Sequence, residues 1–449
     1  MTHADFPAPA RNRRSAIKQC GAIASSLLVA LLLASPVHAN THAQDAFQTA
    51  EGLVAAGDYP AAERILTRRR FQGVEAIPAA YLLAVVYART DRPDQAEGIL
   101  RKILSRQPDI DAVRIELVKI LAIQGKRQAA GYHLNQITDV VDLSRDRDQL
   151  EQLSRRIGST EGVSVSGYFS LAPSTNVNDG TTQSIVMIGG LPFRIANSAR
   201  QQSGMGFKAG AVVGYSHTLT ETTSLYGALS AGFSDYSNDH YDQQQGEFRA
   251  GIRHGELRYS LQAEAIIDRR WQNLQQHSLG IGGRLTARWN FSRGWWASGE
   301  IIHMNRAYDD NAGANSRTTR ATASIRRSFS TSLALTLSGS FEKESVSARP
   351  WNSYDSKSGT VGLETSLGFG LRMDASFTGG SRNFENPFPG LGLVREDKFW
   401  EVRGSFRKDG FQIAGFSPII GIFHKAQSSN VAFFDYQSSG TDLTFTKAF

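Results

Sequence analysis

Cysteine is nearly absent from this sequence: Cys20 is the only one among 449 residues. It precedes the apolar stretch of an N-terminal leader, so we expect the mature chain to carry no thiol. That excludes disulfides, thiolate metal sites and cysteine nucleophiles. Apart from the leader, no apolar run approaches the roughly 20 residues that a membrane-spanning helix needs. The net charge is only +7, and no nucleic-acid-binding module accompanies it.

Residues that could carry catalysis are also scarce. His303 stands alone on a predicted strand, with no second ligand at metal-binding spacing. No local motif supplies a Ser-His-Asp set, and Gly204-Met-Gly206 lacks the strand–turn–helix context of a nucleotide loop. We therefore predict no cofactor, no metal and no enzymatic activity, although an outer-membrane hydrolase built on a barrel stays open.

The sequence contains 42 glycines, and many of its segments alternate between apolar and polar residues. In 205–216 the odd positions are Met, Phe, Ala, Ala, Val and Tyr, whereas the even positions are Gly, Lys, Gly, Val, Gly and Ser. Such alternation indicates an extended strand with one apolar face. Many strands of this kind in series predict a transmembrane β-barrel, apolar outside and polar inside.

The barrel is predicted to run from Val163 to Phe449 with fourteen antiparallel strands. An even number keeps both ends of the barrel on one side of the membrane. We place tight periplasmic turns at 220–223, 292–294 and 408–410, and long extracellular loops at 179–203, 308–315 and 383–393. The strands lie near 163–172, 204–219, 224–235, 245–255, 256–270, 277–291, 295–306, 315–328, 332–344, 355–367, 370–383, 395–407, 411–425 and 432–449.

Two further patterns in the barrel sequence predict where side chains lie. The aromatic residues Trp289, Phe291, Trp295 and Trp296 surround a short turn, where an interfacial girdle belongs. Charges of both signs fall on the predicted inner face, where they could pair across strands or line a path for a charged solute or polypeptide. These are Lys208, Arg249, Arg253, Arg258, Arg284, Arg288, Arg372 and Arg403 with Glu264, Asp268, Glu342, Glu364, Asp374 and Glu401.

Upstream of the barrel the sequence predicts three segments. Residues 1–39 have the basic region, apolar core and small residues at the cleavage site that define a signal peptide. Residues 43–142 are helical and repeated: Ala62, Ala96 and Ala130 are spaced by 34 residues, as are three leucines four positions later, the period of tetratricopeptide repeats. Residues 143–162 form a charged linker.

The repeat domain is expected to bind a peptide or protein, because such repeats present a concave surface and have no chemistry of their own. In the repeat register Tyr81, Arg89 and Lys119 point into that surface and form a client groove. The alternative is a structural spacer whose residues are simply solvated.

Two short motifs lie at the ends of the barrel. Its first strand leads into Ser170-Leu-Ala-Pro-Ser-Thr-Asn176-Val-Asn178, whose asparagines could be ordinary turn residues. Its last strand ends Leu443-Thr-Phe445-Thr-Lys-Ala-Phe449 and resembles the signal by which outer-membrane barrels are recognised for assembly.

The leader, the short repeat domain, the fourteen strands and the Asn-Val-Asn motif together resemble the surface lipoprotein assembly modifiers. The resemblance implies an outer-membrane translocator that exports surface lipoproteins or soluble secreted proteins, with the helical domain in the periplasm engaging client or chaperone. It implies the barrel-assembly machinery and outer-membrane lipid as further partners, and no nucleic acid. A polysaccharide-export porin or a solute porin with a periplasmic repeat domain is the alternative.

Overall fold

The computed structural model describes residues 41–69, 71–138, 150, 152–154, 162–188, 190–237, 241–409 and 411–446. The predicted signal peptide and most of the predicted linker lie outside these ranges. The chain divides into two compact units, which we describe separately. The first extends to Ile103 and includes Ala112–Ile120, and the second comprises Leu104–Asp111 and everything from Leu121 onward.

The structure gives the bounds of six α-helices before the barrel: α1 (Thr41–Ala56), α2 (Tyr59–Arg68), α3 (Ala76–Arg89), α4 (Pro93–Arg106), α5 (Asp111–Ile123) and α6 (Arg127–Thr138). The three alanines spaced by 34 residues lie on α2, α4 and α6, and all are fully buried. A side chain without bulk lets neighbouring helices approach closely, so the helical order agrees with the spacing. The tetratricopeptide assignment itself stays a prediction.

The first unit is held by an apolar core and by an ion pair between α2 and the turn from α3 to α4. Ala50, Ala62, Leu66, Ala79 and Val86 form the core cluster on α1 to α3. Outside that core, Arg92 donates two hydrogen bonds to Glu63, of 2.8 and 2.5 Å, and its guanidinium lies 4.5 Å from the centre of the Tyr87 ring. The hydrogen bond from Arg92 lowers the pKa of Glu63. No helix in the described ranges is long and apolar enough to cross a membrane.

The second unit contains a closed barrel of fourteen antiparallel strands, as the alternation predicts. Its strands are β1 (Gly162–Leu171), β4 (Gly206–Thr218), β5 (Thr223–Tyr236), β6 (Gln243–Gly255), β7 (Tyr259–Gln272), β8 (Gln275–Ser292), β9 (Trp295–Tyr308), β10 (Ser316–Ser330), β11 (Leu333–Ser345), β12 (Tyr354–Ser366), β13 (Leu371–Pro387), β14 (Val394–Lys408), β15 (Ser417–Ser429) and β16 (Tyr436–Thr446). The connection between β1 and β4 carries a separate hairpin, β2 (Ile185–Ile188) with β3 (Leu191–Arg194).

We name the two ends of the barrel by the direction of its first strand. The proximal end is where β1 begins and β16 ends, and the distal end is where β1 enters the long connection to β4. Short connections such as 219–222 and 293–294 lie at the proximal end. The connections 172–205, 309–315 and 346–353 lie at the distal end.

The predicted boundaries are wrong at several strands, most of all at β15; the last strand begins at Tyr436 rather than near 432. The tight turn predicted at 408–410 is a longer connection, because β15 begins at Ser417 rather than near 411. Ala414 and Gly415 have φ of +51° and +80°, a left-handed backbone that cannot continue a strand. The strand β13 extends to Pro387, so the distal loop predicted at 383–393 is shorter than expected.

The two faces of the barrel wall differ as predicted. Along β4 the odd positions are more exposed than the even ones, and the same alternation recurs on later strands. Large apolar side chains such as Leu229, Leu285 and Ile301 are more than half exposed on the outer face. A wall with an apolar exterior and a polar interior suits a bilayer.

The aromatic girdle is confirmed in part. Phe291 contacts both Trp289 and Trp295, with ring centres 5.8 and 6.2 Å apart. Trp296 does not join the girdle, because strand alternation turns it to the opposite face from Trp295. Its ring lies instead under the guanidinium of Arg288, at 4.6 Å.

The close approach of β8 and β9 gives a stability test. A Cβ added at Gly282 would lie 2.0 Å from the carbonyl oxygen of His303, whereas one at Gly299 on β9 would meet nothing within 4 Å. We predict that Gly282→Ala destabilises the barrel by about 1–3 kcal/mol, because the strands must move apart. Heat-dependent gel mobility of the detergent-folded protein measures this. Gly299→Ala is the matched control, and equal stability of the two variants would contradict the argument.

Candidate functional site

The Asn-Val-Asn motif lies in the distal connection and is folded rather than open. Asn176 is 2% exposed, and its amide donates to the carbonyl oxygens of Gly180 and Gln437, both at 2.9 Å. The side-chain oxygen of Asn176 accepts from the Gly180 N–H at 3.0 Å. A buried amide with every contact satisfied stabilises one loop conformation. Asn176 therefore joins the start of the connection to β16.

Asn178 fixes the other side of the same connection. It donates to the carbonyl oxygens of Ser198 and Arg200, at 3.1 and 2.8 Å, and accepts from the Gln202 N–H at 3.0 Å. A Cβ on Gly180 would lie 2.6 Å from the Arg200 carbonyl group, so glycine permits this close return. The two asparagines thus bring the two halves of the connection together.

Further contacts tie this connection to the last two strands. Ser438 donates to the Asn176 carbonyl oxygen at 3.1 Å, and the Thr175 N–H donates to the Ser439 carbonyl oxygen at 2.9 Å. Lys425 forms an ion pair with Asp179 at 2.7 Å. We call residues 172–181, with their partners on β15 and β16, the distal clasp. It joins the beginning and the end of the barrel across their junction.

The lumen face carries paired charges, as predicted for many of its residues. Glu264 accepts from Arg284 at 2.6 Å and from the Tyr226 hydroxyl at 2.5 Å. Asp268 accepts two hydrogen bonds from Arg306, at 2.8 and 2.9 Å. Other pairs join Arg320 to Glu342 and Arg326 to Glu364. Cross-strand pairs of this kind hold the wall together and leave a polar interior.

A second cluster lies at the proximal end, where α6 meets the barrel wall. The Tyr132 hydroxyl accepts from Arg407 at 2.7 Å, and its ring centre lies 5.5 and 5.2 Å from the guanidinium carbons of Arg372 and Arg407. Gln136, one turn further along α6, donates to the Tyr132 hydroxyl at 2.9 Å. The helix is therefore held to β13 and β14 by cation–π contacts and hydrogen bonds.

The same helix also reaches the opposite wall. Leu134 and Asn135 line a cavity of about 420 Å³ together with residues of β4 to β8 and their connections, among them Arg253, Arg258 and Arg288. In the barrel order β6 lies seven strands from β13, which is half of the circumference. Helix α6 therefore lies across the proximal mouth.

The turn between α4 and α5 makes a third contact at this end. Asp109 accepts from the hydroxyls of Thr331 and Ser332, both at 2.8 Å, in the β10–β11 turn. Burial by itself would raise the pKa of Asp109, but hydrogen bonds from these hydroxyls and Ser330 outweigh it and lower the pKa. The contact is thus fully formed near neutral pH and weakens as the carboxylate is protonated.

The three predicted groove residues of the helical region lie around one buried carboxylate. Glu116 is 8% exposed and forms an ion pair with Lys119 at 3.1 Å. Burial raises the pKa of the Tyr81 phenol, Glu116 raises it further, and Arg89 opposes the shift. Tyr81 is itself buried, whereas Arg89 and Lys119 are half-buried. Whether a client binds there stays a prediction.

The predicted assembly signal is described only in part. Phe445 stacks on Phe169 of β1 with ring centres 4.8 Å apart. Phe449 lies outside the described residues. Among the described residues, no group of three or more His, Asp or Glu side chains is arranged to hold a metal ion.

Sequence reasoning missed the residues that close the proximal mouth. Nothing in the sequence of α6 marks Tyr132 as a contact residue. Asp109 lies in a turn, where acidic residues are common. Glu116 was also missed, although its spacing of three from Lys119 on α5 is that of a helical ion pair. Tyr132 and Asp109, by contrast, could be recognised only from the tertiary structure.

These features define a class of protein: a transmembrane β-barrel of the outer membrane, preceded by a periplasmic helical region. The family model of the surface lipoprotein assembly modifiers matches residues 164–449, which is the barrel almost in full. The chain therefore belongs to the surface lipoprotein assembly modifier family. The proximal end is accordingly periplasmic and the distal end extracellular. No curated protein matches the chain.

Solved structures similar to this chain are also outer-membrane barrels. OmpF of Salmonella typhi, in complex with daunomycin, is 8% identical, with 64% of this chain and 98% of that chain covered and a TM-score of 0.35. A bacterial polysaccharide outer membrane secretin is 11% identical (62% and 97% covered, TM-score 0.33). The channel DcaP of Acinetobacter baumannii is 8% identical (63% and 96%, TM-score 0.35). At these scores the likeness carries no argument about function.

The distal clasp predicts the effect of changing Asn176. Asn176→Ala removes the side chain that binds the carbonyl oxygens of Gly180 and Gln437 and the Gly180 N–H in a buried place, at a cost of about 1–3 kcal/mol. We expect trypsin added to intact cells to cleave at Arg194 or Arg200 several times faster than in the wild type. Thr182→Ala, an exposed change in the same connection, is the control. Unchanged cleavage of the Asn176 variant would show that the clasp does not depend on its amide.

The contacts of α6 predict a change in conductance. Tyr132→Ala removes two cation–π contacts and two hydrogen bonds, together about 2 kcal/mol, which corresponds to a roughly 30-fold shift toward an open mouth. Planar-bilayer recordings of the purified protein should show a matching rise in open time. Tyr132→Phe keeps the ring and should give a smaller rise. Equal conductance in all three proteins would mean that α6 does not obstruct the mouth.

Proposed function

We propose that this protein is an outer-membrane translocator that exports client proteins to the cell surface. The clients are surface lipoproteins or soluble secreted proteins. The observation that carries the proposal is the family match over the whole barrel domain. A closed barrel alone would suit many kinds of outer-membrane channel.

The lumen chemistry supports a polypeptide as cargo. An extended chain in transit exposes peptide groups and side chains of both charges, and all of these need polar partners. In pairs such as Arg284–Glu264 and Arg306–Asp268, either charged side chain can bind a group of the passing polypeptide and then return to its partner. A lumen of one sign would instead select a solute of the opposite sign.

The helical region is proposed to receive the client or a periplasmic chaperone. Support comes from Arg89 and Lys119, whose charged side chains remain partly exposed beside the buried Glu116 and Tyr81. Partly exposed charges of this kind can pair with complementary charges on a bound polypeptide. Helix α6 itself lies across the proximal mouth, so a client released at this helix would be next to the lumen.

The energy for export has to come from outside the chain. The sequence holds no nucleotide-binding motif, and the periplasm supplies no nucleotide. Folding of the client at the cell surface, or coupling to the barrel-assembly machinery, would draw the polypeptide outward. The Phe445 strand end is the part of the chain that resembles an assembly signal.

We predict that Arg89→Ala with Lys119→Ala lowers export at least fivefold while the barrel stays folded. The assay co-expresses the protein with a candidate client and measures protease-accessible client on intact cells. An empty vector and a variant lacking residues 43–142 set the lower limit. The matched control is Arg64→Ala with Arg68→Ala, which removes the same charge from exposed positions on α2.

The outcomes separate the alternatives. Equal client exposure with wild type and empty vector, repeated over several clients, would reject protein export in favour of a polysaccharide or solute porin. Export that falls on deletion but not with the Arg89 and Lys119 variant would keep the function and reject the groove. Equal loss in the Arg64 and Arg68 control would also reject the groove, because a general charge effect would then explain the result.

A further inference from the structure

A cavity of about 370 Å³ lies at the periplasmic end, between the turn that joins α4 to α5 and the end of β10. Its lining carries charges of both signs. Asp109 and Asp111 come from the turn and the start of α5, whereas Arg293 and Arg327 come from the β8–β9 turn and from β10. Phe329 adds an apolar part to the same lining. Acidic groups, basic groups and an aromatic ring thus share one cavity.

Arg327 lies among aromatic rings on the outer face of the wall. It is directly opposite Trp295 in the register of β9 and β10. Its guanidinium carbon lies 5.2 Å from the centre of the Trp295 ring and 5.6 Å from the centre of the Phe329 ring. One of its nitrogens donates to the carbonyl oxygen of Arg293 at 2.7 Å, and it forms no ion pair with the residues that the structure describes. Stacking leaves the other N–H groups at the edge of the guanidinium free for a ligand.

A β-bulge presents Phe329 on the same face. The register of β10 with β11 shifts between Ser328 and Ser330, so Phe329 is the extra residue, and it is 58% exposed. Bulges at the rim of a barrel re-aim a side chain. A second shift, between β8 and β9, falls at Phe291, whose ring centre lies 6.2 Å from that of Trp295. The two bulges therefore place exposed aromatic rings on both sides of Trp295.

The aromatic residues determine the depth of the cavity in the membrane. Trp295 belongs to the girdle, and such girdles lie where the hydrocarbon meets the lipid headgroups. Since Arg327 lies beside Trp295, its guanidinium is at the level of the lipid phosphates. Arginine binds phosphate through paired N–H groups. A cavity lined by Arg327 and Phe329 at this depth is within reach of a headgroup from the periplasmic leaflet.

The turn from α4 to α5 gives the cavity its acidic groups. Although burial opposes it, hydrogen bonds from Thr331 and Ser332 lower the pKa of Asp109, so this carboxylate is ionised at neutral pH. Asp111 is the first residue of α5. An anionic phospholipid would match the arginines and be repelled by the carboxylates, whereas a phosphate with a nearby ammonium matches both. The cavity therefore suits a zwitterionic headgroup.

We propose that this cavity binds the headgroup of phosphatidylethanolamine from the periplasmic leaflet. Arg327 and Arg293 bind the phosphate, and Asp109 and Asp111 bind the ammonium. Phe329 contacts the glycerol and the first methylenes of the acyl chains. The bound lipid joins the turn before α5 to the barrel wall, and this role does not depend on what the protein exports.

The test measures lipid retention by native mass spectrometry of the mature protein, folded in detergent and freed of lipid. Phosphatidylethanolamine, phosphatidylglycerol and phosphatidylcholine with the same acyl chains are added one at a time. We expect phosphatidylethanolamine to be retained about fivefold more than either other lipid, because glycerol carries no charge and the choline ammonium cannot donate a hydrogen bond. Soluble glycerophosphoethanolamine should bind about tenfold more weakly than the lipid, because it has no acyl chains.

Two variants remove one charge each from the cavity. Arg327→Gln should lower retention of phosphatidylethanolamine about tenfold, because the phosphate loses a charged partner. Asp111→Asn keeps a residue that begins a helix equally well and should abolish the preference over phosphatidylglycerol. The matched control is Arg317→Gln, on the same strand and the same face but near the extracellular end, which should change nothing. Heat-dependent gel mobility confirms that each variant folds.

Each other outcome overturns the inference. Equal retention of phosphatidylethanolamine and phosphatidylglycerol by the wild type would show a site for anions in general. Glycerophosphoethanolamine that binds as tightly as the lipid would show that the ligand is a soluble phosphate ester. Unchanged retention in Arg327→Gln and Asp111→Asn would place the lipid elsewhere on the barrel. Equal loss in Arg317→Gln would show that the bound lipid belongs to a general shell around the wall.

Discussion

The need to pair every backbone polar group in a bilayer governs this structure. Hydrocarbon offers no hydrogen bonds, so a sheet in the membrane has to close on itself. Closure makes the first and last strands neighbours, although almost the whole barrel sequence separates them. The junction of β1 and β16 is therefore the place where the chain's two ends must be held together. The Asn176 motif belongs to that requirement, since its amide joins the first connection to β16.

The two ends of the barrel are covered by different parts of the chain. At the extracellular end the connection 172–205 folds back on itself around Asn176 and Asn178 and closes over the junction. At the periplasmic end α6 lies across the mouth, with Tyr132 between two arginines and Asp109 on a neighbouring turn. Both sets of contacts use polar groups that can re-form after they separate.

Strand alternation was sufficient to find the barrel. Lipid on one side and a wet lumen on the other impose a period of two on every strand, so the fourteen strands are visible in the residue types alone. The same rule assigns Trp296 to the inner face of the wall. The cluster of aromatic residues in the sequence had suggested that Trp296 belongs to the girdle on the outer face. Strand ends were less certain: nothing in residues 411–416 marks the left-handed backbone that delays β15, apart from Gly415.

The sequence by itself determined the class of fold, the helical order, and the residues on each face of the wall, because each depends on local periodicity. Only the tertiary structure decided which distant groups meet. It brought Asn176 to Gln437, Tyr132 to Arg372 and Arg407, and Asp109 to Thr331. Contacts between residues that lie 200 or more positions apart leave no period in the sequence, since the closure of the barrel and the placement of α6 create them.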